Sequence, residues 1–220
     1  MQYCIQPSRA TELFSVPGFE QRLLRFDSAS DERVDAASDE VLYVLAGTGS
    51  AAIGGETVDL QPGTAAYVAH GTTWRVVEAD SLELLSVLVH DPLPGAGHAV
   101  IEIESRQAGP ATAGRMFRLL ACPDVGCASA TQFVGYIPVV RAPDHFHTYD
   151  EVVYVLQGTG ALHVDGESEP VGPGTAIHFP ARLVHCLENT GPGEMLVLGV
   201  FRPAGSPAEA YYPDGTRAQY

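Results

Sequence analysis

An internal repeat limits the folds open to this chain more than any other feature. Residues 39–49 read DEVLYVLAGTG and residues 150–160 read DEVVYVLQGTG. The same offset continues without a gap, setting Gly55-Glu56 against Gly166-Glu167 and Pro62-Gly63-Thr64-Ala65 against Pro173-Gly174-Thr175-Ala176. Self-similarity at one fixed offset marks a duplicated structural unit, so the fold has to accommodate two copies following each other.

Each copy is made of short β-branched and aromatic stretches broken by Gly, Pro, Asp or Thr. VLYVLAG, AAIGGE and TAAYVAHG stand in the first, and VVYVLQG, ALHVDGE and TAIHFPA in the second. Strands joined by tight turns at regular spacing predict an all-β chain, an antiparallel sandwich or barrel. Helical periodicity is almost absent; residues 18–26 and 206–211 are the two places where a short helix is expected. The Gly-, Pro- and Ala-containing stretch 92–115 reads as the connection between copies, donating one strand from its alternating AVIEIES segment. Beyond Arg202 the tail is rich in Pro and Gly, with Tyr211 and Tyr212 placed to pack back on the fold or against a partner subunit.

At 220 residues the chain is long enough to bury a core without staples. Its 45% hydrophobic content is ordinary, and no apolar run approaches the ~18 residues of a membrane span. The start, MQYCIQPSR, carries no secretory pattern. Cys4, Cys122, Cys127 and Cys186 are too unevenly spaced for a disulfide framework and read as free thiols, and a cytoplasmic protein is expected. A formal net charge of -15 argues against nucleic acid and anionic bilayers, whose binding needs basic patches. All 12 Lys/Arg positions are Arg. Schiff-base chemistry on Lys, a Lys-held pyridoxal cofactor and the lysine of a phosphate loop are therefore excluded. No nucleophile elbow or dinucleotide fingerprint is present either.

The second copy contains His145-Phe-His147-Thr-Tyr-Asp-Glu151. Side chains alternate faces along a strand, so His145 and His147 project to one side, and Glu151 joins them if the intervening turn keeps the phase. His185 follows on a later strand, after Pro173-Gly174 and Pro180, with Asn189 four residues beyond.

This arrangement resembles the cupin superfamily. Its first motif is matched by His145, His147, Glu151 and Gly158, and its second by Pro173, Gly174, Pro180, His185 and Asn189. Only the glycine six residues before His145 is missing, Val139 standing there. The resemblance implies a jelly roll in each half: two tandem cupin jelly-roll β-barrels, residues 1–105 and 106–220. It also implies His185 as fourth ligand of a metal held by His145, His147 and Glu151. In the first copy Val34, Ala36 and Trp74 stand where His145, His147 and His185 do, and Glu40 stands where Glu151 does. The N-terminal half is therefore expected to hold no metal, and Glu40 to be a polar or salt-bridged remnant.

Three imidazoles and one carboxylate suit one divalent transition metal, Fe or Mn first, with Ni, Zn, Cu and Co also compatible. The expected activity is that of a metal-dependent enzyme on a small oxygen-rich molecule, of the dioxygenase kind, with Glu151 able to detach and act as a base. A redox-neutral isomerase, epimerase or lyase acting on sugar or uronic acids, and a non-catalytic small-ligand binding protein, are the alternatives. The expected partners are the small molecule and, at most, a second copy: a monomer or homodimer. Phe133, Tyr136, Tyr154 and Phe179 are read as core or cavity wall. His163 and His178 face the cavity or solvent according to register. Arg118 and Arg141 are surface groups or carboxylate clamps, and Cys186 should point away from the metal.

Overall fold

The computed structural model describes residues 2–7, 11–95 and 97–219. The chain is all-β and folds as two compact units. One comprises Ala10–Arg106 with Leu120–Thr131, the other Met1–Arg9, Gln107–Leu119 and Gln132–Tyr220; they are called the N-terminal and C-terminal units below. No helix of the described residues is long and apolar enough to cross a membrane.

The N-terminal unit is built on an antiparallel sheet in the order Glu12–Val16, Phe19–Phe26, Trp74–His90, Ser38–Ile53, Thr64–Val68, His98–Glu102, with Glu56–Leu60 pairing the far half of Ser38–Ile53. The two long strands stay paired from Ser38↔His90 to Ile53↔Trp74, with register shifts between Val44 and Ala46, Ala46 and Thr48, and Ser50 and Ala51. Such bulges re-aim a strand without ending it. Leu42, Val44, Ile53, Val76, Leu82 and Leu84 close around the buried Trp74. Glu40 is also buried, and its carboxylate accepts hydrogen bonds from the Trp74 indole N–H, at 2.7 Å, and from the Ser86 hydroxyl. The remnant is satisfied by uncharged donors.

In the C-terminal unit one sheet runs Cys4–Ile5, Ala176–Phe179, Asp150–Gln157, Met195–Arg202, Thr131–Ile137, Met116–Leu119, Ala108–Pro110, and a second runs Glu167–Val171, Gly160–Val164, His185–Asn189. The offset that aligns Asp39 with Asp150 also aligns Glu56–Leu60 with Glu167–Val171 and Trp74 with His185. The repeat is thus a repeat of strands. Asn189, singled out by the sequence, is a tie: its amide donates to the carbonyls of Ile137 and Gly193, both at 2.8 Å. The connecting stretch supplies His98–Glu102 to the N-terminal sheet and Ala108–Pro110 to the C-terminal one.

Both expected helices are absent. Residues 18–26 belong to a hairpin, Glu12–Val16 with Phe19–Phe26, because Phe19, Gln21 and Leu23 are buried in alternation and the strand pairs residue by residue with Leu82–Val89. The apolar spacing of Phe19, Leu23 and Leu24 imitates a helical face, and tertiary pairing overrides it. Near 206–211 the backbone bonds go sideways instead: Tyr211 exchanges both bonds with Phe146, at 2.9 and 2.8 Å. Pro207 has no N–H to contribute to a helical ladder.

Trp74→Ala empties the centre of the N-terminal core and removes one donor from Glu40, and is expected to lower stability by about 3–5 kcal/mol in chemical denaturation. Trp74→Phe keeps much of the volume and is expected to cost about 1–3 kcal/mol through the lost indole donor. A Phe variant as damaging as the Ala variant would show that volume is not what Trp74 supplies.

Candidate metal centre

The two histidine-bearing segments are locked face to face. His145 and His185 exchange backbone hydrogen bonds in an isolated antiparallel bridge, at 3.0 and 2.8 Å. Residues paired in this way carry their side chains on the same face, and His147 lies two residues on, so all three rings meet. The intervening Phe146 points the other way and stacks on Tyr211, ring centroids 5.6 Å apart. The ring centroid of His145 lies 5.1 Å from that of His147 and 4.8 Å from that of His185. One ligand atom from each ring falls within 4.8 Å of the other two.

Each ring is held at Nδ1. His145 Nδ1 lies 2.9 Å from the Pro143 carbonyl oxygen, His147 Nδ1 2.7 Å from that of Glu209, and His185 Nδ1 2.9 Å from that of Leu183. A carbonyl only accepts, so Nδ1 is the donor in all three, and in a neutral ring Nε2 is then left with a free lone pair. Burial favours the neutral ring: it pushes His145 down to about 4, helped by the Arg115 charge, and His147 down to about 3, helped by His145. His185 also lies well below its ordinary value for the same first reason. Aromatic contacts hold the ring planes, with Phe179 stacked on His185 at 3.9 Å and Tyr149 between His147 and Phe201 at 4.7 and 4.0 Å.

The three imidazoles line a chamber of about 80 Å³ together with Glu151, Tyr149, Arg115 and an apolar wall. Glu151 sits on Asp150–Gln157 between Phe179 and Phe201 and is buried. Burial pushes its carboxyl up to about 8, while the Arg115 charge pulls the other way. Its carboxylate is not among the atoms that fall within 4.8 Å of one another in the histidine group. A Cβ on Gly199 would stand 2.3 Å from the Phe133 ring and 2.9 Å from Glu151 Oε1, so the missing side chain makes room for both. The donor set fits a divalent transition metal: three neutral nitrogens already aimed inward, each braced by a main-chain oxygen, and a carboxyl in the same chamber.

Residues 133–201 match the family model described as cupin domain. That segment contains His145, His147, Glu151, His185 and Gly199. These residues form a cupin domain. The chain also shares its fold with solved structures: a mutant of oxalate decarboxylase from Bacillus subtilis (12% identity, 96% of this chain and 79% of that one, TM-score 0.75), protein Ylba from E. coli (13%, 92% and 91%, 0.70) and a cupin 2 conserved barrel domain protein from Leptotrichia buccalis (15%, 91% and 89%, 0.64). At these identities the likeness is one of fold. No curated protein matches the sequence.

Other residues singled out by sequence divide clearly around the cupin chamber. Phe133, Tyr136 and Phe179 line it, whereas Tyr154 does not. His163 pairs with Glu188 at 2.7 Å, and His178 lies 3.7 Å from Asp150, both outside the chamber lining. Arg141 pairs with Asp144, and Arg118 lies over the Tyr136 ring. Cys186 turns away and donates to the Ala142 carbonyl. Sequence reasoning gave Arg115, Tyr149 and the tail no part in the site, yet Arg115 and Tyr149 line the chamber, Pro207 and Ala210 complete it, and Glu209 braces His147. Only Tyr149 carried a signal, lying two residues from both His147 and Glu151 on an alternating segment.

The raised carboxyl of Glu151 and the depressed imidazoles act oppositely on the stability of the metal-free protein. A folded value of about 8 means that the Glu151 contribution is complete below its unfolded value near 4.5 and is lost as pH rises through 8. The histidine contribution is lost as pH falls from about 6.5 toward the folded values. Glu151→Gln is therefore expected to abolish a fall of roughly 2 kcal/mol between about pH 6 and about pH 9 and to leave the acid limb intact. Denaturant midpoints across that range measure it, and an unchanged alkaline fall would contradict the assignment.

Proposed function

We propose that the chain is a bicupin, with one barrel in the N-terminal unit and one in the C-terminal unit as divided above rather than at residues 105 and 106, and that the second holds one divalent transition metal on His145, His147, Glu151 and His185. The observation that carries this reading is the set of three Nδ1–H bonds to main-chain carbonyls, which leaves three Nε2 lone pairs converging in one chamber. When bound, the ion would supply Lewis acidity and a place for an oxygen ligand to bind.

The protein's own groups define what is turned over there. Phe117, Phe133, Leu187 and Val197 give the reacting region an apolar wall. The chamber volume of about 80 Å³ is near half of the ~150 Å³ that admits a benzene ring, which favours a substrate of a few heavy atoms over catechols or flavonols. In the metal-free protein burial pushes the Glu151 carboxyl up to about 8, and a Glu151 detached from the ion is placed in the chamber to act as a base. The activity proposed is oxidation of a small oxygen-rich molecule with dioxygen. A redox-neutral proton transfer, an isomerase or lyase activity, is the second reading, and the position of Glu151 as an acid–base group is what favours it.

Elemental analysis of protein purified without added metal is expected to find close to one transition-metal ion per chain, and His147→Ala to lose it. An oxygen electrode with glycolate, oxalate and short β-diketones then separates the readings. Oxygen uptake supports the first, and product without uptake supports the second. Metal retained in full by His147→Ala would overturn the proposed centre.

A further inference from the structure

The chamber contains one fixed positive charge that no ion pair among the described residues neutralises. Arg115 enters from a tight turn in which Ala111 N–H donates to the Arg115 carbonyl at 2.8 Å and Arg115 N–H donates to the Thr112 carbonyl at 3.2 Å. Ala113 and Gly114, with φ of 57° and 70°, carry the chain through the left-handed region to make that turn. At its far end the guanidinium is pinned again, Nη2 donating to the Leu187 carbonyl at 3.0 Å. The side chain is thus held at both ends before any ligand arrives.

It is nevertheless short of partners. Its Nε is buried without a hydrogen-bond acceptor, and no carboxylate of the described residues forms an ion pair with it. Among the described residues Glu151 is the only carboxylate that lines the chamber, and the metal proposed above claims it. A guanidinium has five N–H donors in a planar fork that matches a carboxylate. The side chain as a whole is only partly covered, but its Nε has lost water without gaining an acceptor, and a buried unsatisfied donor on a charged group is unfavourable. A tie to the Leu187 carbonyl alone needs no charge. The simplest account is that the counter-ion is the ligand.

We propose that Arg115 is a substrate-binding residue and that the molecules taken by this chamber are short carboxylates. One carboxylate pairs with the guanidinium, and a second oxygen function reaches the histidine end of the same chamber. The volume holds the chain to roughly two to four carbons. This rests on the proposed metal centre for its second contact, but the Arg115 contact is testable separately. Arg118 and Arg141, the arginines that sequence offered as clamps, are turned to Tyr136 and Asp144 instead.

The test is calorimetric titration of the metal-loaded protein with oxalate, glycolate and malonate, with ethylene glycol as the uncharged control, on wild type, Arg115→Lys and Arg115→Gln. The expected result is an affinity loss of about tenfold or more in Arg115→Gln for each acid, a smaller loss in Arg115→Lys, and no change for the diol. Metal content, measured on the same samples, should stay at the wild-type level in both variants. Acids bound equally by wild type and Arg115→Gln, or not bound by wild type, overturn the inference while an intact metal content leaves the centre standing. Loss of metal from wild type instead strikes the proposed centre. Should Arg115→Gln fail to fold, phenylglyoxal labelling of wild type decides: peptide mapping is expected to show oxalate protecting Arg115 and not Arg118, and equal labelling with and without oxalate refutes it.

Discussion

Everything at the histidine site depends on three backbone carbonyls. Pro143, Glu209 and Leu183 each take an Nδ1–H bond, and these bonds, not the imidazoles alone, decide which nitrogen faces inward. Without them each ring can present either nitrogen in several orientations, and convergence has an entropic cost. With them the tautomer and ring orientation are set in advance. The arrangement spans three pieces of chain, since Pro143 precedes the first histidine strand, Leu183 precedes the second and Glu209 belongs to the tail. The tail's attachment through Tyr211 to Phe146 is therefore part of the site.

The repeat makes the N-terminal unit an internal control. In both units a glutamate lies on the equivalent central strand and is buried. In one, Trp74 occupies the position of His185 and donates to Glu40, with Ser86 beside it, and the interior closes into packed core. In the other, Gly199, paired with Val153, stands where the first copy has Ser86, paired with Leu42, and opens space beside Glu151 and Phe133. The same scaffold thus carries two interiors: a neutral-donor network that satisfies a buried carboxylate, and a chamber in which burial raises Glu151 to about 8. The sheet framework does not require the histidines, because the first copy forms its sheet without them.

Much of this was legible in the residues. The duplicated turn and strand pattern led to an all-β chain, and period-two spacing put His145 and His147 on one face. What misled was the run around Leu23 and Leu24, whose spacing suits a helix equally well when the partner strand Leu82–Val89 is out of view. Arg115 was hidden for a different reason. It lies in a Gly-, Pro- and Ala-containing connection where a single Arg carries no periodicity, and its importance comes from a carbonyl roughly seventy positions away.

Residue order was enough to establish the duplicated β framework and the presence of three histidines and a glutamate at spacings that alternate properly, because strand geometry is local and its side-chain period is two. Folding in three dimensions was needed to show that His185 pairs across from His145, that a tail carbonyl braces His147, and that Arg115 shares their chamber without an ion-pair partner among the described residues. Those are relations between segments distant along the chain, and they run through main-chain oxygens or open space, neither of which leaves a mark in residue identity.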